Sequence, residues 1–224
     1  YDYKGIKFMA YPRDIKAEQA LFTKQDHTGI DFDNYNDIPV EISGDNIPEA
    51  MNDFDDSNLH PLLLSNIQLA HFSNPTPVQR YSVPAVANKR DLMSCAQTGS
   101  GKTAAFLFPL IDYILKDRES SSSSNKNDMK SNNQQRYNRR ACTPIGLILA
   151  PTRELARQID TEAVKFTYRA KIRSVVVYGG QRPHEQLKDL QQGCDILVAT
   201  PGRLLDFVNR GKVSLRKIAY CVLD

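Results

Sequence analysis

Ala96-Gln97-Thr98-Gly99-Ser100-Gly101-Lys102-Thr103 is the stretch on which the fold of this 224-residue chain turns. It follows a short apolar run, Leu92 to Ala96, and precedes a helical run that starts at Ala104. The pattern is a Walker A loop with Ala in place of the usual first Gly. Its glycines let consecutive backbone N–H groups approach phosphate oxygens, and the helix behind them adds its positive N-terminal end. Lys102 is placed to reach the β- and γ-phosphates, and the Thr103 hydroxyl to bind Mg2+.

Further apolar runs follow on either side of helical stretches. After Leu92–Ala96 come Ile145 to Ala150, Val175 to Tyr178, Ile196 to Ala199 and Ile218 to Leu223. Short, continuous, β-branched runs suit strands buried on both faces, and their alternation with helices predicts βαβ units and a mostly parallel sheet. The expected class is α/β. Upstream, Leu62, Leu63, Ile67 and Ala70 recur at helical spacing, and Pro77 is positioned to open a second helix running through Gln79 to Ala87. Residues 118–140 interrupt the rhythm with Ser, Asn, Lys and Gln. Their low apolar content predicts a disordered insertion between a helix and the second strand, a solvated loop whose basic end is a secondary candidate for RNA contact. Residues 1–50 form an acidic extension with a short helix expected over Ala17 to Phe22. Its Gly29 to Tyr35 stretch and its Ile38-Pro39-Val40 cannot fold alone and either dock on a neighbouring surface or stay mobile.

Composition narrows the class. Hydrophobic residues make up 41% and charged residues 25%, ordinary values for a globular protein. No apolar run approaches the roughly 18–20 residues of a membrane-spanning helix. No start Met and no charged leader precede an apolar stretch, as expected of an excised piece lacking a signal peptide. Residues 1–60 hold 13 acidic against 5 basic side chains, and the remainder 24 basic against 13 acidic. An acidic arm on a basic body suggests that the body meets a polyanion. Cys95, Cys142, Cys194 and Cys221 lie too far apart for a paired metal-ligand motif. Three of them fall in or beside strand-like runs, so buried, reduced thiols are expected.

Gln79 closes the Phe72-to-Gln79 stretch. Its amide offers one donor and one acceptor side by side, matching the N6 and N7 edge of adenine but not guanine. Phe72, or Phe54 further upstream, is placed to stack on the base. Read alone, Gln79 would be an ordinary helix-surface residue. Beyond the loop, Pro151-Thr152-Arg153, Gly179-Gly180 and Thr200-Pro201-Gly202-Arg203 each follow a predicted strand, at the carboxyl edge where open α/β sheets bind ligands. Thr152 and Thr200 offer hydroxyls, Arg153 and Arg203 charge, and Gly179, Gly180 and Gly202 close backbone approach. All these contacts suit a nucleic-acid backbone rather than its bases. They do not by themselves favour RNA over DNA.

Taken together, the motifs resemble those of the DEAD-box ATP-dependent RNA helicases, in their first RecA-like domain. Phe72 to Gln79 with upstream Phe54 is similar to the Q motif, Ala96 to Thr103 to motif I, Pro151 to Ala156 to motif Ia, Gly179-Gly180 to the GG element, and Thr200 to Arg203 to motif Ib. Val222-Leu223-Asp224 resembles the opening of motif II. The arm is similar to that of the translation-initiation branch related to Belle and Vasa. The resemblance implies a RecA-like P-loop domain over residues 51–224, with ATP and Mg2+ as cofactors. It implies Lys102, Thr103 and Asp224 as catalytic groups, with Thr103 and Asp224 on the metal. The remaining partners it implies are RNA, a second RecA-like domain with arginine fingers, and translation-initiation factors, but no membrane. The water-activating Glu of motif II would follow Asp224. Reduced cysteines and the branch together imply a cytoplasmic location, extending to the nucleus or ribonucleoprotein granules. Two other readings share these motifs: an ATP-gated RNA clamp that unwinds little, and a P-loop ATPase indifferent to nucleic acid.

Overall fold

The computed structural model describes residues 10–23, 39–124 and 141–224. The expectations for Gly29 to Tyr35, Ile38 and residues 125–140 lie outside the described residues. The chain divides into two units: the part up to Lys116 with Lys165–Ala170, and Asp117–Val164 with Lys171–Asp224.

The first unit is helical. Helix α1 (Ile15–Phe22) starts where Asp14 caps it, accepting from the amides of Lys16 and Ala17 at 3.0 and 3.2 Å. None of its residues is buried, so hydrogen bonds to the 165–170 segment hold this arm. The Tyr168 hydroxyl accepts from Asp14 N at 3.0 Å and donates to Asp14 O at 3.1 Å. Tyr11 and Arg169 exchange two bonds, at 3.0 and 2.8 Å, and Phe22 meets the Tyr168 ring edge-on. Helices α2 (Pro61–Leu69) and α3 (Pro77–Ala87) each begin on a proline, whose missing N–H costs nothing in the first turn. Leu62, Leu63 and Ile67 of α2 are buried as the spacing predicts. Helix α4 (Lys102–Ser124) follows the glycine loop. Its Phe108 is fully buried and meets Phe54, Phe72 and Phe166 edge-to-face, with centroids 4.8–5.9 Å away. Such pairs contribute about 0.5–1.5 kcal/mol each beyond area burial. Asn66 ties down the 165–170 segment by donating to the carbonyls of Phe166 and Tyr168 at 2.9 and 2.8 Å.

The second unit carries the sheet. Its strands are β1 (Gly146–Leu149), β2 (Ser174–Val177), β3 (Ile196–Ala199) and β4 (Tyr220–Leu223), all parallel in the order β2-β3-β1-β4. The connections run through α5 (Arg153–Phe166), α6 (Pro183–Gln191) and α7 (Pro201–Asn209). Every residue of β3 is buried, as a central parallel strand requires, whereas edge strand β4 alternates. The core joins Leu147, Val175, Val177, Leu197, Ala199, Leu204 and Phe207.

Three expectations need correction. Leu92–Ala96 is not a strand; Leu92 is 47% and Met93 90% exposed. Apolar side chains make a run strand-like, but a strand exists only through a partner's ladder, and the described residues of the first unit hold no strand. Cys142 and Cys194 are buried, but Cys95 and Cys221 are exposed, because one sits in that unpaired run and the other on the outer strand. Finally, the predicted insertion starts as helix: Arg118 to Ser124 extend α4. Arg118 anchors this extension by pairing with Asp195 at 2.5 Å. Propagating an existing helix avoids the nucleation cost, so a polar tail can follow an apolar stem.

Candidate functional site

The glycine loop lies in the first unit. Ser100 N donates to Gln97 O at 3.3 Å, closing a turn, and α4 begins at Lys102. Gly101 holds φ +90°, and a Cβ there would stand 2.4 Å from Gln79 Nε2. Only glycine fits that conformation and that space. Gln79 is fully buried. Its Oε1 accepts from Thr76 N at 3.1 Å and its Nε2 donates to Gly101 O at 3.2 Å. The residue expected on adenine therefore also fastens the start of α3 to the glycine loop. Lys102 Nζ donates to the carbonyls of Ala96 and, at 3.0 Å, Gln97. Gln97, Thr98 and Gly99 are exposed, Ala96 and Thr103 half-buried. Ser100 Oγ is buried with no partner among the described residues. A glycine cradle at a helix start, an ammonium and an unsatisfied hydroxyl form a donor set that fits a nucleotide's phosphates.

The aromatic candidates divide. Phe54 is 4% exposed, with Phe72 and Phe108 against its ring, and serves the core. Phe72 is half-buried and keeps some exposed surface.

The second unit places the other motifs at the carboxyl ends of its parallel strands. The amides of Ala150, Thr200 and Asp224 continue the ladder past the strand ends, donating at 3.0 Å to Ala199 O, Val177 O and Leu149 O. Pro151 and Thr152 are exposed, and Thr152 Oγ1 accepts from Leu155 N at 3.2 Å, opening α5 at Arg153. Gly180 lies at φ +82°, and a Cβ there would be 2.2 Å from Arg153 Nη1. The GG element thus rests directly on the motif Ia arginine. Thr200 caps α7 without a side-chain capping bond, and Pro201 and Gly202 are exposed in its first turn. Gly179 and Gly202 have open space where a Cβ would be. Arg203 donates from Nη1 to Gln186 Oε1 and from Nη2 to Gln181 O, both at 3.1 Å, with its guanidinium 5.4 Å from the Phe207 centroid. Asp224 is exposed at the end of β4. Motifs Ia, GG and Ib are thereby brought to one sheet edge.

Sequence reasoning missed Gln186. A glutamine on an amphipathic helix reads as surface, yet this one is 3% exposed. Away from these loops, burial pushes the Asp160 carboxyl above its ordinary range despite the hydroxyl of Ser174, at the start of β2, 2.6 Å away. Among the described residues, no cluster of three His, Cys, Asp or Glu could hold a metal, and no helix is long and apolar enough to cross a membrane.

A glycine loop at the start of α4 and a parallel α/β unit with polar loops at its strand ends fit the RecA-like class. The sequence model of the DEAD/DEAH box helicase family matches residues 76–224. The crystal structure of the RNA helicase Prp28 from Chaetomium thermophilum, bound to ADP, superposes with a TM-score of 0.66 at 37% identity. That match covers 81% of this chain and 40% of that one. A DEAD box protein from the hyperthermophile Methanococcus jannaschii matches at TM-score 0.61 and 31% identity, over 78% of this chain and 42% of that one. The chain belongs to the DEAD/DEAH box helicase family, and spans about two fifths of the length of these two relatives.

Proposed function

We propose that this chain is the N-terminal, ATP- and RNA-binding half of an ATP-dependent RNA helicase whose remaining half is a second RecA-like domain. The observation that carries this reading is the convergence of Pro151–Arg153, Gly179-Gly180 and Thr200–Arg203 on one sheet edge, in a chain of the DEAD/DEAH box helicase family.

The residues divide the work as follows. Lys102 exchanges the carbonyls of Ala96 and Gln97 for phosphate oxygens, and the amides of residues 99–103 complete the grip. Thr103 would take Mg2+ at the glycine loop, and the family resemblance implies Asp224 as a further ligand; when bound, the ion neutralises charge developing on the transferred phosphoryl group. Gln79 reads the adenine edge with the amide that now bridges Thr76 and Gly101, and Phe72 offers the stacking ring. Thr152, Arg153, Thr200 and the amides near Gly179, Gly180 and Gly202 take RNA phosphates without reading bases. Closure on the second domain would bend one strand and melt a short duplex. The arm's likeness to the Belle and Vasa branch supports a role in translation initiation or mRNA remodelling, with initiation factors as partners and a cytoplasmic location that extends to the nucleus or granules.

The test is ATP turnover by the complete protein with and without single-stranded RNA. Stimulation by RNA supports the reading, and a rate indifferent to RNA refutes it. Strand displacement on a short duplex then separates a helicase from an ATP-gated RNA clamp. The isolated chain is expected to bind adenine nucleotide weakly and to unwind nothing.

A further inference from the structure

We propose that Gln186 is a positioning residue for RNA binding, acting through Arg203 and the loop that carries Gly179 and Gly180. The inference rests on the RNA-binding reading above and deepens it.

A glutamine amide has two lone pairs and two N–H donors. Gln186 uses all four. Its Oε1 accepts from Tyr178 N at 3.3 Å and from Arg203 Nη1 at 3.1 Å. Its Nε2 donates to Tyr178 O at 3.0 Å and to Gln181 Oε1 at 3.3 Å. Pairing with both backbone groups of Tyr178, the side chain acts as one more rung beyond the end of β2. The same amide fixes one arm of the Arg203 fork, while the other arm reaches Gln181 O at 3.1 Å. The loop 178–181 is therefore clamped at its start by Gln186 and at its far side by Arg203.

Two consequences follow. First, Arg203 braces the loop with both terminal nitrogens, so it supports RNA binding as a strut more than as a charge on phosphate. Second, the clamp fixes where the 179 and 180 amides point relative to the first turn of α7, with Thr200 and Gly202. Gly180 carries the same constraint to Arg153. No other side chain of similar size reproduces the amide's role. Glu lacks the donors for Tyr178 O and Gln181, Asn is one methylene short, and Leu offers neither donor nor acceptor. Tyr178, Gln181, Gln186 and Arg203 lie outside the 96–103 loop, so the clamp should govern RNA affinity and leave ATP affinity alone.

The test uses the complete protein with Gln186→Ala, Arg203→Lys, Arg203→Ala and the Gln186→Ala/Arg203→Ala pair. Single-stranded RNA affinity is measured by anisotropy over a salt series, alongside KM for ATP and the melting temperature. Loss of hydrogen bonds to a charged group should weaken RNA binding about tenfold in Gln186→Ala. KM for ATP should stay within about twofold, and the slope of affinity against salt should not change, because no phosphate contact is removed. Arg203→Lys keeps the charge but loses the fork and should fail as badly as Arg203→Ala. The double variant should be no worse than the worse single one. Wild-type RNA affinity in Gln186→Ala would overturn the proposal. So would normal binding by Arg203→Lys beside an Arg203→Ala variant whose salt slope falls by about one. If Gln186→Ala does not fold, the two Arg203 variants still decide. If the wild-type protein binds no RNA at all, the functional reading falls as well; a failure confined to the variants leaves it standing.

Discussion

Gly101→Ala should cripple nucleotide binding while leaving the fold nearly intact. The backbone at Gly101 holds φ +90°, where a Cβ meets the following carbonyl, at a cost of about 1–2 kcal/mol. The new methyl would also stand 2.4 Å from Gln79 Nε2 and 3.1 Å from Thr76 Oγ1. Gln79 is fully buried, so it cannot swing into water, and its bond to Gly101 O must lengthen or break. A net hydrogen bond contributes about 0.5–1.5 kcal/mol. Free of ligand, the loop can relax to a backbone that alanine tolerates. Binding phosphates must then restore the glycine geometry, so the cost falls on affinity rather than on stability. Together the effects amount to about 2–3 kcal/mol, or about a thirtyfold to hundredfold loss. Calorimetric titration of ATP into the wild-type and variant proteins measures this, with thermal unfolding as the control. An affinity within threefold of wild type would show that the observed loop geometry is not the one that grips the nucleotide.

Other expectations are more local. Gln79→Ala should relax the preference for ATP over GTP by up to about 1–3 kcal/mol, read by nucleotide competition, and an unchanged ratio would leave Gln79 only its structural bonds. Asp160→Asn keeps an oxygen for Ser174 and removes a buried charge. Because the folded-state pKa of Asp160 is raised, its favourable contribution is complete below the ordinary Asp range and is lost as pH rises through the raised value. The variant should therefore gain denaturant resistance over wild type near neutral pH and lose that advantage in acid; lower stability with an unchanged pH profile would contradict the assignment. The paired bonds from Arg13 hold the Glu18 carboxyl below its usual range. Docking of α1 on Tyr168 should hold above that range and weaken as pH falls through the depressed value. The protection of the Tyr11 and Asp14 amides against exchange should follow, and Glu18→Gln should abolish the pH dependence.

Much of the architecture was legible because its causes are local. Pro77 fixes the first residue of α3, and the spacing of Leu62, Leu63 and Ile67 fixes the buried face of α2. The apolar runs marked all four strands to within two residues at either end; β1 and β3 need unbroken apolar sequence because both their faces are buried, and the outer strands β2 and β4 carry similar runs while burying less. What was not legible depends on partners. Leu92–Ala96 has the composition of a strand and no ladder. Cys221 has the composition of core and lies on an outer strand. Arg118 to Ser124 look like linker and continue a helix already nucleated. The site shows the same divide. Glycines and prolines marked the loops, because their backbone requirements are written in the residue type. Gln186 was opaque, and so were the bonds of Gln79 to Thr76 and Gly101, because a glutamine's partners are the donors and acceptors that tertiary structure brings to it.

In the proposed function the loop from Ala96 to Thr103 grips the nucleotide's phosphates, with Lys102 at the start of α4. The most direct measurement is RNA-stimulated ATP hydrolysis by the complete protein carrying Lys102→Ala. Turnover should fall to the level without enzyme, with the melting temperature preserved. Hydrolysis at a rate near that of the wild type would contradict the account.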